Sequence, residues 1–152
     1  MSYQTGRRTI ETYTLNNWDV QIPIGFDRQT FTPIHRSVMM EIMEGELFQG
    51  SIGAPGANSV YHAGVLQFTV YVSGGRGSDE WRAIADMITD LFFGITLDTD
   101  GLPIASPSQV AHVRFSPPEM GDSRHPKLAS QAMEPPFLTA VIQCPFVRYE
   151  RR

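Results

Sequence analysis

Residues 65–94, "VLQFTVYVSGGRGSDEWRAIADMITDLFFG", limit the fold more than any other stretch, because the apolar period changes within them. In "VLQFTVYVS", Leu66, Phe68, Val70 and Val72 alternate with Gln67, Thr69 and Tyr71, as a strand buried on one face requires. Beyond the glycines, Trp81, Ile84, Ala85, Ile88, Leu91 and Phe92 fall on one stripe of a helix. Ser78 fits its N-cap and Gly94 its stop. A strand turning back into a helix that covers it implies a sheet with helices packed on one face. Phe68, Val70 and Val72 are expected to meet Ile84, Ile88 and Leu91.

The connecting "VYVSGGRGSDEW" has the layout of a phosphate-binding turn, but its chemistry argues otherwise. No lysine follows Gly74, Gly75 and Gly77, as a P-loop needs, and Glu80 stands where a dinucleotide fingerprint has its third glycine. Asp79 and Glu80 complement the helix dipole themselves and would repel a phosphate. The stretch reads as a capped corner.

Elsewhere the patterns are shorter. Residues 7–18 weakly match a helix, with Ile10, Tyr13 and Leu15 near one face. "WDVQIPIGFD" is extended, Val20, Ile22 and Ile24 alternating around Pro23, which suggests an edge strand or a bulge. Residues 37–48 alternate Val38, Met40 and Ile42 against Glu41, and "QVAHVRFS" sets Val113 and Phe115 against His112 and Arg114. The closing "FLTAVIQCPFVRYERR" points Leu138, Ala140, Ile142 and Cys144 inward. Residues 48–60 and 117–136, rich in Gly, Ala and Pro, read as long loops. The expected fold is a single α+β domain over 1–152, with an antiparallel sheet of four to five strands packed with two helices.

Composition narrows function. A chain of 152 residues with 41% apolar and 18% charged residues is globular, and its net charge of −4 does not suit a protein that grips nucleic acid by its phosphates. The single Cys144 forms no internal disulfide and is expected to be buried packing. No apolar run follows the basic residues of "MSYQTGRRTIETYTL", so no signal peptide is expected, and a soluble protein of a reducing compartment is. His35, His62, His112 and His125 lack metal-ligand spacing, and no serine sits in a G-x-S-x-G elbow. Glu41, Glu44 and Glu46 are accounted for by a solvated or interface face. No catalytic residue, metal site or cofactor is expected.

The order of these elements resembles the tail-terminator, or tail-completion, proteins of long-tailed bacteriophages and phage-derived particles. The similar parts are the proline-containing early strand in "WDVQIPIGFDRQTFTP", the strand bearing a Gly-rich loop, the strand–turn–helix unit, and the closing "CPFVRYERR". Residues 95–136 depart most from that pattern. The resemblance implies a structural virion protein that caps the finished tail tube as a homo-oligomeric, hexameric ring. Such a ring ends tube polymerisation and joins the tube to the head connector or stopper. It implies assembly in the host cytoplasm, a place at the head–tail junction, no membrane, and DNA passing a lumen that does not bind it. An acidic wall would suit that passage.

The interface residues expected on this reading are Gly50, Ser51, Ile52, Gly53, Ala54, Pro55, Gly56, Ala57 and Asn58 in the first loop. Arg76 at the corner, Arg124, His125 and Lys127 in the second loop, and Arg148 and Arg151 in the closing strand join them. The second loop is expected to meet the head-side connector. Two alternatives remain open: a head-side stopper or tail-tube subunit of the same particle, and a small hydrolase in which His62 or His112 meets a serine and a carboxylate.

Overall fold

A computed structural model describes residues 1–26, 30–51, 53–74, 79–105, 111–116 and 125–152. Helix α1 spans Tyr3–Asn17, followed by strands β1 (Ile24–Gly25), β2 (Ser37–Gln49) and β3 (Ser59–Ser73), and helix α2 (Asp79–Leu91). Strands β4 (Thr96–Leu97), β5 (His112–Phe115), β6 (Lys127–Glu134) and β7 (Phe137–Arg151) complete the chain.

The expected sheet of four to five antiparallel strands with two helices is overturned. Seven strands form one mixed sheet in the order β1-β2-β3-β7-β5-β4, with β6 also on β7. Strand β1 runs parallel to β2, and the other pairings are antiparallel. The helices are minor beside strands of 13 to 15 residues. Two misreadings account for the difference. The alternation of β3 continues backward through Gly64 and His62 to Val60, into the stretch read as a loop over 48–60. The pair Pro135-Pro136 was read as the edge of a loop, yet it forms the tip of the β6–β7 hairpin, with Glu134 opposite Phe137. A hairpin tip needs no ladder donor, so two prolines fit there. The loop expected over 117–136 therefore gives way to strand from Lys127, and the loop expected over 48–60 contracts to 50–58.

The even-numbered residues of β3 and β7 face the helices and form the core; Leu66, Phe68, Val70, Ala140, Ile142 and Cys144 are all buried there. Helix α1 buries Gly6, Thr9, Ile10, Tyr13 and Thr14, one stripe at helical spacing, while Leu15 is exposed. Ser2 caps it by accepting from the Thr5 amide at 3.1 Å. Helix α2 buries Trp81, Ile84 and Ile88 and carries Asp79 and Glu80 in its first turn, where they favour the dipole. Ile84, Ile88 and Leu91 join Phe68, Val70 and Val72 in one cluster, as the alternation implied. The Tyr13 hydroxyl donates to the Leu91 carbonyl at 2.6 Å, tying the two helices together. Residues 75–78, with the expected N-cap Ser78, lie outside the described residues. Of Val20, Ile22 and Ile24, only Ile22 is buried.

Phe92, fully buried, sits at the centre, with ring centroids 5.6 Å from Tyr13, 5.5 Å from Phe68 and 4.8 Å from Phe115. Phe92→Ala removes ring contacts with α1 and with two strands of the sheet at once. It is expected to destabilise the protein by about 3–5 kcal/mol in a denaturant titration; a loss below about 1 kcal/mol would mean that the ring is not central.

Candidate functional site

At the end of the sheet formed by β2, β3 and the last residues of β7, the apolar core gives way to ions. Arg148 lies on the helix-bearing face of β7 and is fully buried. Its Nη1 donates to the Met1 carbonyl at 2.6 Å, its Nη2 to Glu44 Oε2 at 3.2 Å, and its guanidinium lies 4.7 Å from the Tyr3 ring centroid. Nε has no hydrogen-bond partner. A side chain at position 6 would run into Arg148 Cδ, so α1 reaches the sheet because that residue is glycine. One strand position further on the same face, Glu150 accepts from the Met1 ammonium at 2.6 Å and pairs with His62 Nε2 at 2.9 Å. Arg152 Nε lies 2.8 Å from the same carboxylate.

Burial pushes the Glu150 carboxyl up, but hydrogen bonds from the Met1 ammonium and His62, with the charges of that ammonium and Arg152, outweigh it and hold the group below its ordinary value. A depressed carboxyl contributes stability above its unfolded value, about 4.3, and loses it as pH falls through the folded value. Glu150→Gln leaves the ammonium and His62 facing a neutral amide, at a cost on the order of 3 kcal/mol near neutral pH. The gap in Tm between the two proteins is expected to narrow as pH falls below about 4.3; a gap independent of pH would show that the carboxylate charge does nothing.

Among the described residues, no helix lies on the opposite sheet face. Phe48 stacks on Tyr61 at 5.2 Å, Tyr61 packs on Tyr149 at 5.4 Å, and Tyr149 stacks on His112 at 4.9 Å. Beside this row lies an open groove of about 480 Å³, lined by Met43, Phe48, Ala63, Val65, Arg114, Pro145 and Val147. The far half of β2 is exposed from Met43 to Gln49. It presents Met43, Leu47 and Phe48, which are 40%, 53% and 48% exposed.

The expected interface residues divide between these regions. Gly50, Ser51, Gly53, Ala54, Pro55, Gly56 and Ala57 are exposed and Asn58 half-buried, in a loop anchored at its base. Asn58 and Arg152 exchange backbone hydrogen bonds of 3.0 and 2.9 Å, and the Ser59 amide donates to Ser51 Oγ at 2.7 Å. Arg151 is exposed nearby at the end of β7. His125 and Lys127 are half-buried, at and just before the start of β6. Arg148, grouped with the surface residues in the sequence, is instead internal, held by Met1, Glu44 and Tyr3. Ile52, Arg76 and Arg124 lie outside the described residues.

His62, which the hydrolase alternative set beside a serine, is buried against Glu150 and the Tyr3 ring. Cys144 is buried and burial pushes its thiol up, so it packs as a small apolar residue. Among the described residues, no group of three or more His, Cys, Asp or Glu could hold a metal ion, and no helix is long and apolar enough to cross a membrane. The sequence reading missed Met43, Leu47 and Phe48 as surface residues. Alternation read through 59–64 would have extended β3 and shown that its partner β2 outruns the core.

No family model and no curated protein matches the chain. Five chains among solved structures do. One is 18% identical, with a TM-score of 0.64 over 97% of this chain and 96% of that one. At that identity the likeness speaks to the fold, which recurs end to end in another protein.

Proposed function

We propose that this chain is a ring-forming structural protein of the tail-terminator type, closing the end of a phage-like tail tube and meeting the head side. The observation that carries the reading is the far half of β2, which is exposed from Met43 to Gln49. There Met43, Leu47 and Phe48 stand exposed beside the anchored, uncharged loop 50–58. An apolar surface concentrated on one projecting element is characteristic of protein contact. The resemblance in element order supplies the kind of assembly, and the net charge of −4 suits a wall past which DNA slides.

Native mass measurement with negative-stain imaging tests the reading. Closed rings of about six subunits are expected. Long tubes would identify a tube subunit instead, and a protein that stays monomeric at high concentration would overturn the assembly role. Deleting Gly53–Ala57 is expected to leave a folded chain, since the loop is joined at its base by Asn58 and Arg152, but one that no longer caps tails. Particles with normal-length tails would remove the loop from the capping surface.

A further inference from the structure

We infer that neighbouring copies join by adding the open edge of β6 in one copy to the open edge of β2 in the next, antiparallel and in one register. This rests on the ring reading above and names its subunit contact. Strand β2 pairs with β3 along one side, while on the other β1 covers only Val38 and Met39. From Met40 to Gln49 that side has no strand partner among the described residues. Strand β6 pairs with β7 on one side and with no described strand on the other. Among the described residues, these two edges also carry five of the eleven large exposed apolar side chains: Met43, Leu47, Phe48, Leu128 and Met133. Free edges of this kind recruit another chain unless charges or prolines blunt them. The interior of β6, "LASQAM", has neither.

Charge selects which edges meet. Glu41 and Glu46 would set two β2 edges against each other in repulsion, whereas the uncharged interior of β6 accepts them. Strand direction agrees: β2, β3, β7 and β6 alternate in sense, so β6 runs opposite to β2. A head-to-tail arrangement that preserves strand direction therefore brings the two together antiparallel.

Register is set by irregularities in both strands. The ladder shifts between Glu44 and Leu47 in β2 and between Leu128 and Ser130 in β6. Centring β6 on the free stretch places Leu128 opposite Leu47, Met133 opposite Ile42 and Ala132 opposite Met43. It also sets one irregularity against the other. Through their partners Ile142, His62, Leu138 and Leu66, the first two pairs lie on the helix-bearing face; through Thr139 and Val65, the third lies on the other. A slip of one residue would send every side chain to the wrong face, and a slip of two would separate the irregularities. Glu134 opposite Glu41 is the one like-charge pair, at the strand end, where solvent screens it.

The two edges are diagonally offset. Strand β6 is level with the start of β2 through Ala140, Val70 and Val38, while the free edge of β2 centres on Glu44. Each added copy thus steps about six residues, roughly 20 Å, along the strands for four strands, roughly 19 Å, across them. That slope corresponds to a tilt of about 45°, at the upper limit of closed barrels. The offset has the same sense at every joint, as a closed ring of copies requires.

The test is disulfide trapping in the full chain, where buried Cys144 does not interfere. Oxidised Leu47→Cys/Leu128→Cys is expected to give a reducible ladder ending at the ring's subunit number. A mixture of the two single variants is expected to stop at a dimer, and Leu47→Cys/Met133→Cys to trap poorly. Leu47→Lys and Met133→Lys, both exposed, are expected to keep their Tm within a few degrees while native mass falls from ring to monomer. Homodimers from either single variant, or rings that form without the Leu47–Leu128 bridge, overturn the pairing while leaving the ring reading intact. Absence of any ring overturns both.

Discussion

The 15-residue ladder between β3 and β7 is the constraint on which the rest of the molecule depends. It runs without a register shift from Ser59↔Arg151 to Ser73↔Phe137, so it fixes which face of every residue in both strands is covered. Along most of its length that face is apolar, and the two helices cover it. The ladder nevertheless continues past the helices' apolar stripes. Its last positions must place polar groups in the interior or leave the face bare. Glu150 and Arg148 resolve this by pairing with Met1, His62 and Glu44, and Gly6 lets α1 descend onto them. A buried guanidinium without its partners would cost several kcal/mol, so the N-terminal turn of α1 and the end of β7 are stable only together.

How legible this was in the sequence follows from the same geometry. The alternation of Leu66 to Val72 and the stripe of α2 were plain because one face was apolar throughout, and the core they imply is present. The inward set Leu138, Ala140, Ile142 and Cys144 was legible for that reason too. The first third of β3 was not, since its covered residues include His62 and Gly64, which carry no hydrophobic signal. Arg148 looked like a surface cation because the groups that bury it, Met1 and Glu44, lie more than a hundred residues away. Strand β6 was hidden for the opposite reason: its residues are mostly exposed, so no face selects an apolar period, and Pro135-Pro136 read as a loop boundary.

These blind spots coincide with the proposed contact surfaces. A strand half covered by its own chain shows alternation; a strand meant for another chain shows little, because its partner is not in the sequence. Met43, Leu47 and Phe48 sit among glutamates, and Leu128 and Met133 among small residues, so neither segment yields a periodic pattern. The β2–β3 and β6–β7 registers place these residues on edges with no strand partner among the described residues.

The offset between those edges also bears on solubility. A chain with two complementary open edges is a unit for an endless sheet, and a head-to-tail contact that does not close yields filaments. An eight-residue ladder with a few apolar pairs has modest net strength, since each hydrogen bond contributes about 1 kcal/mol after exchange with water, offset by the cost of association. A single joint is therefore weak, and an open chain of copies falls apart from its ends. Closure adds one joint without bringing in another subunit, so the proposed ring is favoured over every shorter open form. The diagonal placement of β6 and the free half of β2, with β1 and β5 covering the other two corners, supplies the tilt that closure needs. On the proposed ring, what looks like incomplete pairing in one copy is the feature that limits assembly to a finite size.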